Sequence, residues 1–165
     1  MIEITITREQ LDKAYAQGGD LGAIRNSQMK GNRNFVGFLG ENAVEEYLPV
    51  KPKNCKDYDF VLEDGRTVDC KSAMINIPPR PLTNCNIMEV ALHQKCDLYV
   101  FCFYVKPQTT LYICGYIPKQ EYVSKARKVN KGDTDPVTGF NYRYSSRVLP
   151  MKELLPIEDL LCLNI

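Results

Sequence analysis

Tyr58-Asp59-Phe60-Val61-Leu62-Glu63-Asp64-Gly65-Arg66-Thr67-Val68-Asp69-Cys70-Lys71 is the stretch on which the fold of this 165-residue chain turns. Two apolar runs flank an acidic, glycine-ended break, so residues 58–62 and 66–72 read as the two strands of a hairpin. Side chains alternate along a strand. Thr67, Asp69 and Lys71 therefore share one face, and Val68 and Cys70 share the other. Asp69 and Lys71 stand about 6.6 Å apart along that face. Loop length decides what faces them. A two-residue Asp64-Gly65 turn would set Asp59 opposite Cys70, with the two aspartates on opposite faces. A three-residue Glu63-Asp64-Gly65 loop pairs Leu62 with Arg66 and Asp59 with Asp69. That loop needs a left-handed residue at its third position, which is Gly65. One residue of slip exchanges the faces, and the glycine favours the register that brings the carboxylates together.

A third carboxylate comes from the preceding helix, expected over about Phe35 to Leu48 and ended by Pro49. Gly37, Glu41, Val44 and Leu48 form one stripe at 100° per residue, so Glu41 is an acid on a small and apolar face. Gly37 and Gly40 allow that face to lie close to the strands. Glu45 falls at the edge of the stripe and Glu46 opposite it. Asp57 shares a face with Asp59 and is the alternative to it. Two facing carboxylates repel and one pKa rises; a divalent cation removes that cost. Glu41, Asp59, Asp69 and Lys71 thus point to hard-metal phosphodiester chemistry. Asp59 and Asp69, with Glu41 as an outer ligand or a ligand to a second metal, suit Mg²⁺, with Mn²⁺ as a substitute. Lys71 is placed at the nucleophile or at the developing phosphate charge.

Outward from this centre, Thr7-Arg8-Glu9-Gln10 has the form of a capping box and starts a helix that Gly18-Gly19 should stop. A helix is expected from about Asn84 to Lys95. Residues 98–105 are an apolar run fit for a buried strand. Residues 110–117 form its hairpin partner, and Pro118 opens a short helix to about Lys128. Tyr142 to Leu149 reads as a late strand and Ile157 to Leu161 as a short terminal helix. The order of elements gives an α/β domain around one central mixed β-sheet flanked by helices. Length alone allows one domain over residues 1–165.

Gly40-Glu41, Asp59 and Asp69-Cys70-Lys71 resemble the signature of the PD-(D/E)XK nuclease superfamily: a helix carrying Glu, a strand carrying Asp, and a (D/E)-x-K strand. The buried strand beginning Asp97-Leu98-Tyr99-Val100-Phe101 is similar to the family's next core strand. The resemblance covers about residues 35–117. It implies a restriction-endonuclease-like αβββαβ core and a Mg²⁺-dependent endonuclease acting on DNA. Gln94 becomes a further candidate, since members often place a polar side chain on the helix after the D-x-K strand. Tyr58 stands where Pro is common, and Asp69 where many members carry Glu. Cutting both strands would be natural for a homodimer.

Charge nearly cancels, at 21 Lys and Arg against 20 Asp and Glu, which excludes a uniformly basic nucleic-acid sponge and an acidic tail protein. The pattern beneath is uneven. Arg25, Lys30 and Arg33 precede the Glu41 helix without an intervening acid, and residues 119–152 hold eight bases against three acids. Lys125, Arg127, Lys128 and Lys131 read either as a phosphate-contacting stripe or as a solvated helix end. Arg143 and Arg147, interleaved with Tyr142 and Tyr144, read either as a nucleic-acid clamp or as a plain amphipathic strand. The seven cysteines include no CxxC pair and are expected as free thiols in a reducing cytoplasm. No apolar run nears 18 residues and no secretory signal is visible, so no membrane contact is expected. The rival to a nuclease is a catalytically inactive nucleic-acid-binding or interaction protein.

Overall fold

The computed structural model describes residues 1–20, 34–53, 55–136 and 138–161. Strand β1 (Ile2–Thr5) leads into helix α1 (Arg8–Asp20). The capping box forms: the Gln10 N–H donates to Thr7 Oγ1 at 3.2 Å, and the Thr7 N–H donates to Gln10 Oε1 at 3.0 Å. Contrary to expectation, Gly18 and Gly19 do not stop α1, which continues to Asp20. Gly18 serves close packing instead, because a Cβ there would lie 3.1 Å from the Phe35 nitrogen. Phe35 belongs to α2 (Asn34–Tyr47), whose face of Phe35, Val36, Leu39, Gly40, Ala43 and Val44 is buried.

Next come β2 (Val50–Pro52), β3 (Phe60–Leu62), β4 (Thr67–Ile75), β5 (Asn84–Met88), β6 (Leu98–Val105), β7 (Thr110–Pro118), α3 (Lys119–Lys125), β8 (Arg127–Val129) and β9 (Ser146–Pro150). Six strands form one mixed sheet in the order β1-β7-β6-β4-β3-β2, and β5-β9-β8 form a second. Only β4 and β6 run parallel within these sheets. The protein is thus α/β, with helices against a mixed sheet. All of β6 is buried because both its faces are covered. Leu98, Val100, Cys102 and Tyr104 join the core under α2, whereas Tyr99, Phe101, Phe103 and Val105 join a second core shared with β5 and α3.

The largest departure from expectation is at residues 84–95, where the structure has β5 and a single 3-10 turn over Glu89–Ala91 instead of a helix. Cys85 and Ile87 are buried while Asn86 is exposed, a period of two, and β5 pairs along its length with β9. Apolar residues at helical spacing persist only through Met88, Ala91 and Leu92, enough for one turn. The helix after Pro118 ends at Lys125, and Arg127 and Lys128 lie in β8 rather than at a helix end. The late strand starts at Ser146, not Tyr142. Short strands β1, β2 and β8 were not expected. Among the described residues, no helix is long and apolar enough to cross a membrane.

The hairpin adopts the three-residue loop. Phe60 pairs with Val68 and Val61 with Thr67, and the Leu62 N–H donates to the Arg66 carbonyl at 2.9 Å. Gly65 has φ 88°, the left-handed region the loop demands. β4 then outruns its partner. Its pairing with β3 ends at Val68, while its pairing with β6 continues to Ile75.

Candidate active site at the fork of the hairpin

The site lies where β3 and β4 part. The Asp59 N–H still donates to the Val68 carbonyl, at 2.9 Å, but beyond this the backbone of β3 no longer serves β4. The side chain of Asp59 takes over, its Oδ2 accepting the Cys70 N–H at 2.7 Å. This swap of ladder bond for carboxylate holds Asp59 beside Asp69. A buried N–H left unpaired would be costly, so the backbone itself fixes the carboxylate.

Asp69 is buried, 3% exposed, and its Oδ2 lies 2.5 Å from Lys71 Nζ. The alternation of β4 has therefore put the acid and the lysine on one face, as the sequence predicted. Lys71 is held in turn by Gln94, whose Oε1 accepts from Nζ at 2.8 Å, and it sits over the Tyr99 ring, 5.9 Å from the centroid. Gln94 is itself anchored, donating from Nε2 to the Lys56 carbonyl at 3.0 Å. Glu41 reaches the same centre from α2. Gly40 makes that approach possible: a Cβ there would fall 1.9 Å from Ser72 Oγ and 3.3 Å from Cys102 Cβ.

Electrostatics bind the group into one unit. Burial, then the charges of Glu41 and Asp69, push Asp59 up to about 8, with the Cys70 N–H and Lys71 only partly opposing. Burial and Asp69 raise Glu41 to about 6, against the pull of Lys71. Asp69 is also raised by burial, against Lys71, a side-chain hydrogen bond with Asp59, and Lys119. At neutral pH the Asp59–Asp69 pair consequently shares a proton. Fully ionised, three carboxylates would face the ammoniums of Lys71 and Lys119, an excess of negative charge in a poorly solvated place. The donor set fits a hard divalent cation in chemistry, since Mg²⁺ commonly takes one or two protein carboxylates and completes its shell with water and phosphate oxygens. Among the described residues, no three His, Cys, Asp or Glu side chains are arranged as a ready-made metal cage. Asp59 and Asp69 are the pair that would hold the ion, with Glu41 acting on it through charge.

Asp57 has a different place from Asp59. Its Oδ1 accepts the Lys95 N–H at 3.2 Å, tying the segment before β3 to the one that carries Gln94. Lys119 is a site residue that the sequence did not reveal. Its ammonium donates to the Gln94 carbonyl, and its charge reaches Asp69. It arrives there only because β7 pairs with β6 so that Pro118 lies opposite Leu98.

The expected nucleic-acid contacts divide into three groups. Arg25, Lys30 and Arg33 lie outside the described residues. Lys125, Arg127, Lys128 and Arg147 are drawn to acids: Lys125 to Glu121 at 2.6 Å, Arg127 to Asp135 at 3.5 Å, and Lys128 and Arg147 to Glu89 at 3.4 and 3.8 Å. Their charge is shared, so the net excess counted along residues 119–152 is not a free basic stripe. Arg143 is exposed, and the alternation expected of Tyr142 and Tyr144 resolves into one buried and one exposed ring.

No family model matches this chain. Over 86 residues, 52% of its length, it is 31% identical to a phosphomannomutase of Dendrobium officinale, and the match covers 33% of that protein. The chain thus spans about a third of the length of the curated relative it matches.

Proposed function

We propose that this chain is a Mg²⁺-dependent nuclease of the PD-(D/E)XK kind that hydrolyses phosphodiester bonds in DNA. The observation that carries the reading is the hairpin fork, with Asp59 and Asp69 side by side and Lys71 on the same face as Asp69. The element order supports it: α2, three antiparallel strands β2-β3-β4, then β6 parallel to β4. The family's helix between the third and fourth strands is replaced here by β5 and a 3-10 turn, yet Gln94 still meets Lys71.

A bound Mg²⁺ would polarise the scissile phosphate and lower the pKa of a coordinated water. The remaining work falls to the chain. Asp59 and Asp69 would hold the ion through their ionised carboxylates, Asp59 being kept in place by the Cys70 N–H. Lys71, fixed by Gln94 and Asp69, presents an ammonium to the attacking water or to the charge growing on phosphate. Glu41 adds negative charge behind the pair. The likeness to a phosphomannomutase carries no mutase activity over, since it covers a third of that protein.

Cleavage of plasmid, linear and branched DNA in Mg²⁺, compared between wild type and Asp69→Ala, tests this. Cleavage that is lost with EDTA and with Asp69→Ala is expected. Equal cleavage by the two proteins removes Asp69 from the chemistry. No cleavage, together with no heat of Mn²⁺ binding up to millimolar concentration, leaves the inactive binding protein as the better reading.

A further inference from the structure

Next to the carboxylates lies a cleft of about 450 Å³ that the hydrolytic chemistry does not use. It exists because β4 outruns β3. Residues 71–74 of β4 and Phe101 and Phe103 of β6 line it, together with β5 and the segment 140–146, which are joined to each other where Met88 pairs with Ser146 and Asn84 reaches Tyr142. Lys71 lines the cleft and also pairs with Asp69, so the two sites are continuous. Whatever enters the cleft therefore has a neighbouring group within reach of the phosphodiester chemistry.

The outer wall is aromatic and cationic. Phe140 is 54% exposed and Tyr144 37% exposed, and Arg143 stands between them in sequence. Asn86 of β5, also in the lining, offers an exposed amide, able to donate and to accept. Planar rings, an amide edge and cations at two places match a nucleotide: a base to stack, an edge to read and a phosphate to neutralise.

The wall is also built in advance. Buried Asp135 gathers it, its Oδ1 accepting from the Thr138 N–H at 2.9 Å and its Oδ2 from Asn84 Nδ2 at 2.9 Å and the Tyr142 hydroxyl at 3.0 Å. Tyr142 meets Phe140 edge to face at 5.3 Å. Gly139, at φ 70°, makes the turn that sets Phe140 in place. Side chains fixed beforehand lose little entropy on binding.

We propose that this cleft takes one unpaired nucleobase adjoining the scissile phosphate, stacked against Phe140 and Tyr144. The substrate class is therefore a nucleic acid with single-stranded, branched or looped nucleotides, since a base within a continuous duplex is not available to stack. This rests on the phosphodiester reading above for its account of the neighbouring site.

The test is a metal-free fluorescence titration with DNA and RNA single strands carrying 2-aminopurine, and with the matching duplexes. Quenching on binding is expected, with single strands held more tightly than duplex. Phe140→Ala and Tyr144→Ala should each weaken single-strand binding about tenfold, the scale of one lost base–aromatic stack. Phe140→Trp should restore it, which a merely structural role would not predict. Whichever polymer binds more tightly through these rings names the source of the base. Equal binding of duplex and single strand, or full affinity in both alanine variants, overturns the proposal. The two readings separate in Mg²⁺. Ring-dependent binding without cleavage sinks the nuclease and keeps the cleft, whereas cleavage indifferent to Phe140→Ala sinks the cleft and keeps the nuclease.

Discussion

Replacing Asp59 by Asn should make the metal-free protein more stable at alkaline pH while removing its response to divalent cations. In the folded protein Asp59 titrates near 8 rather than at 3.8, because burial and the charges of Glu41 and Asp69 oppose its ionisation. The folded state holds this proton more tightly than the unfolded chain. Stability therefore falls as pH rises from about 4 to about 8, and stays low above that. Glu41 and Asp69, also raised, contribute with the same sign. At about 1.4 kcal/mol per pKa unit the shift of Asp59 corresponds to about 6 kcal/mol, of which the variant forfeits about half by losing the charge-assisted bond to the Cys70 N–H. Asn keeps a carbonyl oxygen for the Cys70 N–H and carries no charge. At pH 9 in EDTA the variant should thus exceed wild type by about 3 kcal/mol, or roughly 6–12 °C in Tm for a chain of this size. Near pH 4 the two should nearly coincide, and the gap should widen from there to about pH 8. Urea melts followed by circular dichroism at pH 5, 7 and 9 measure this directly. Mn²⁺ at pH 8 should raise the wild-type midpoint and leave the variant unmoved. Parallel pH curves, or a variant less stable than wild type at pH 9, would refute the account of the site as a repelling carboxylate group.

Lys71→Ala should lower single-turnover cleavage by about a hundredfold or more, the usual scale for losing a charge aimed at a transition state. Gln94→Ala, which only frees Lys71, should cost about tenfold in kcat with KM little changed; an unaltered rate would show that the lysine needs no such hold. Gly40→Ala should destabilise the fold by about 1–2 kcal/mol despite the better helix propensity of alanine, because its Cβ meets Ser72 and Cys102. Adding Ser72→Ala removes the nearest atom and should recover part of that loss in urea melts.

How far the site was legible depended on the range of the signal. The face-to-face aspartates could be read because hairpin register is local: Gly65 set the loop, the loop set the pairing, and alternation placed Lys71. The stripe of α2 carried Glu41 for the same reason. Residues 84–95 misled because a few apolar residues satisfied helical spacing while Cys85 and Ile87 obeyed a period of two, and only the partner strand β9 chose between them. Arg127, Lys128 and Arg147 read as free cations because their acids, Asp135 and Glu89, lie on other segments, whereas Lys125 and Glu121 sit four residues apart on α3, a pair the sequence already offered.

Sequence alone determined what short-range sterics control: helices α1 and α2, the two hairpins, the buried run of β6, and which side chains share a face. Tertiary structure decided what depends on meetings between distant segments. Gln94 and Lys119 close on Lys71 and Asp69, and β4 outruns β3 to leave a cleft. The shift of Asp59 needs Glu41 brought to it from another element. The physical reason is distance along the chain. Backbone geometry reports on neighbours a few residues away, whereas burial and charge coupling act between groups that only packing brings together.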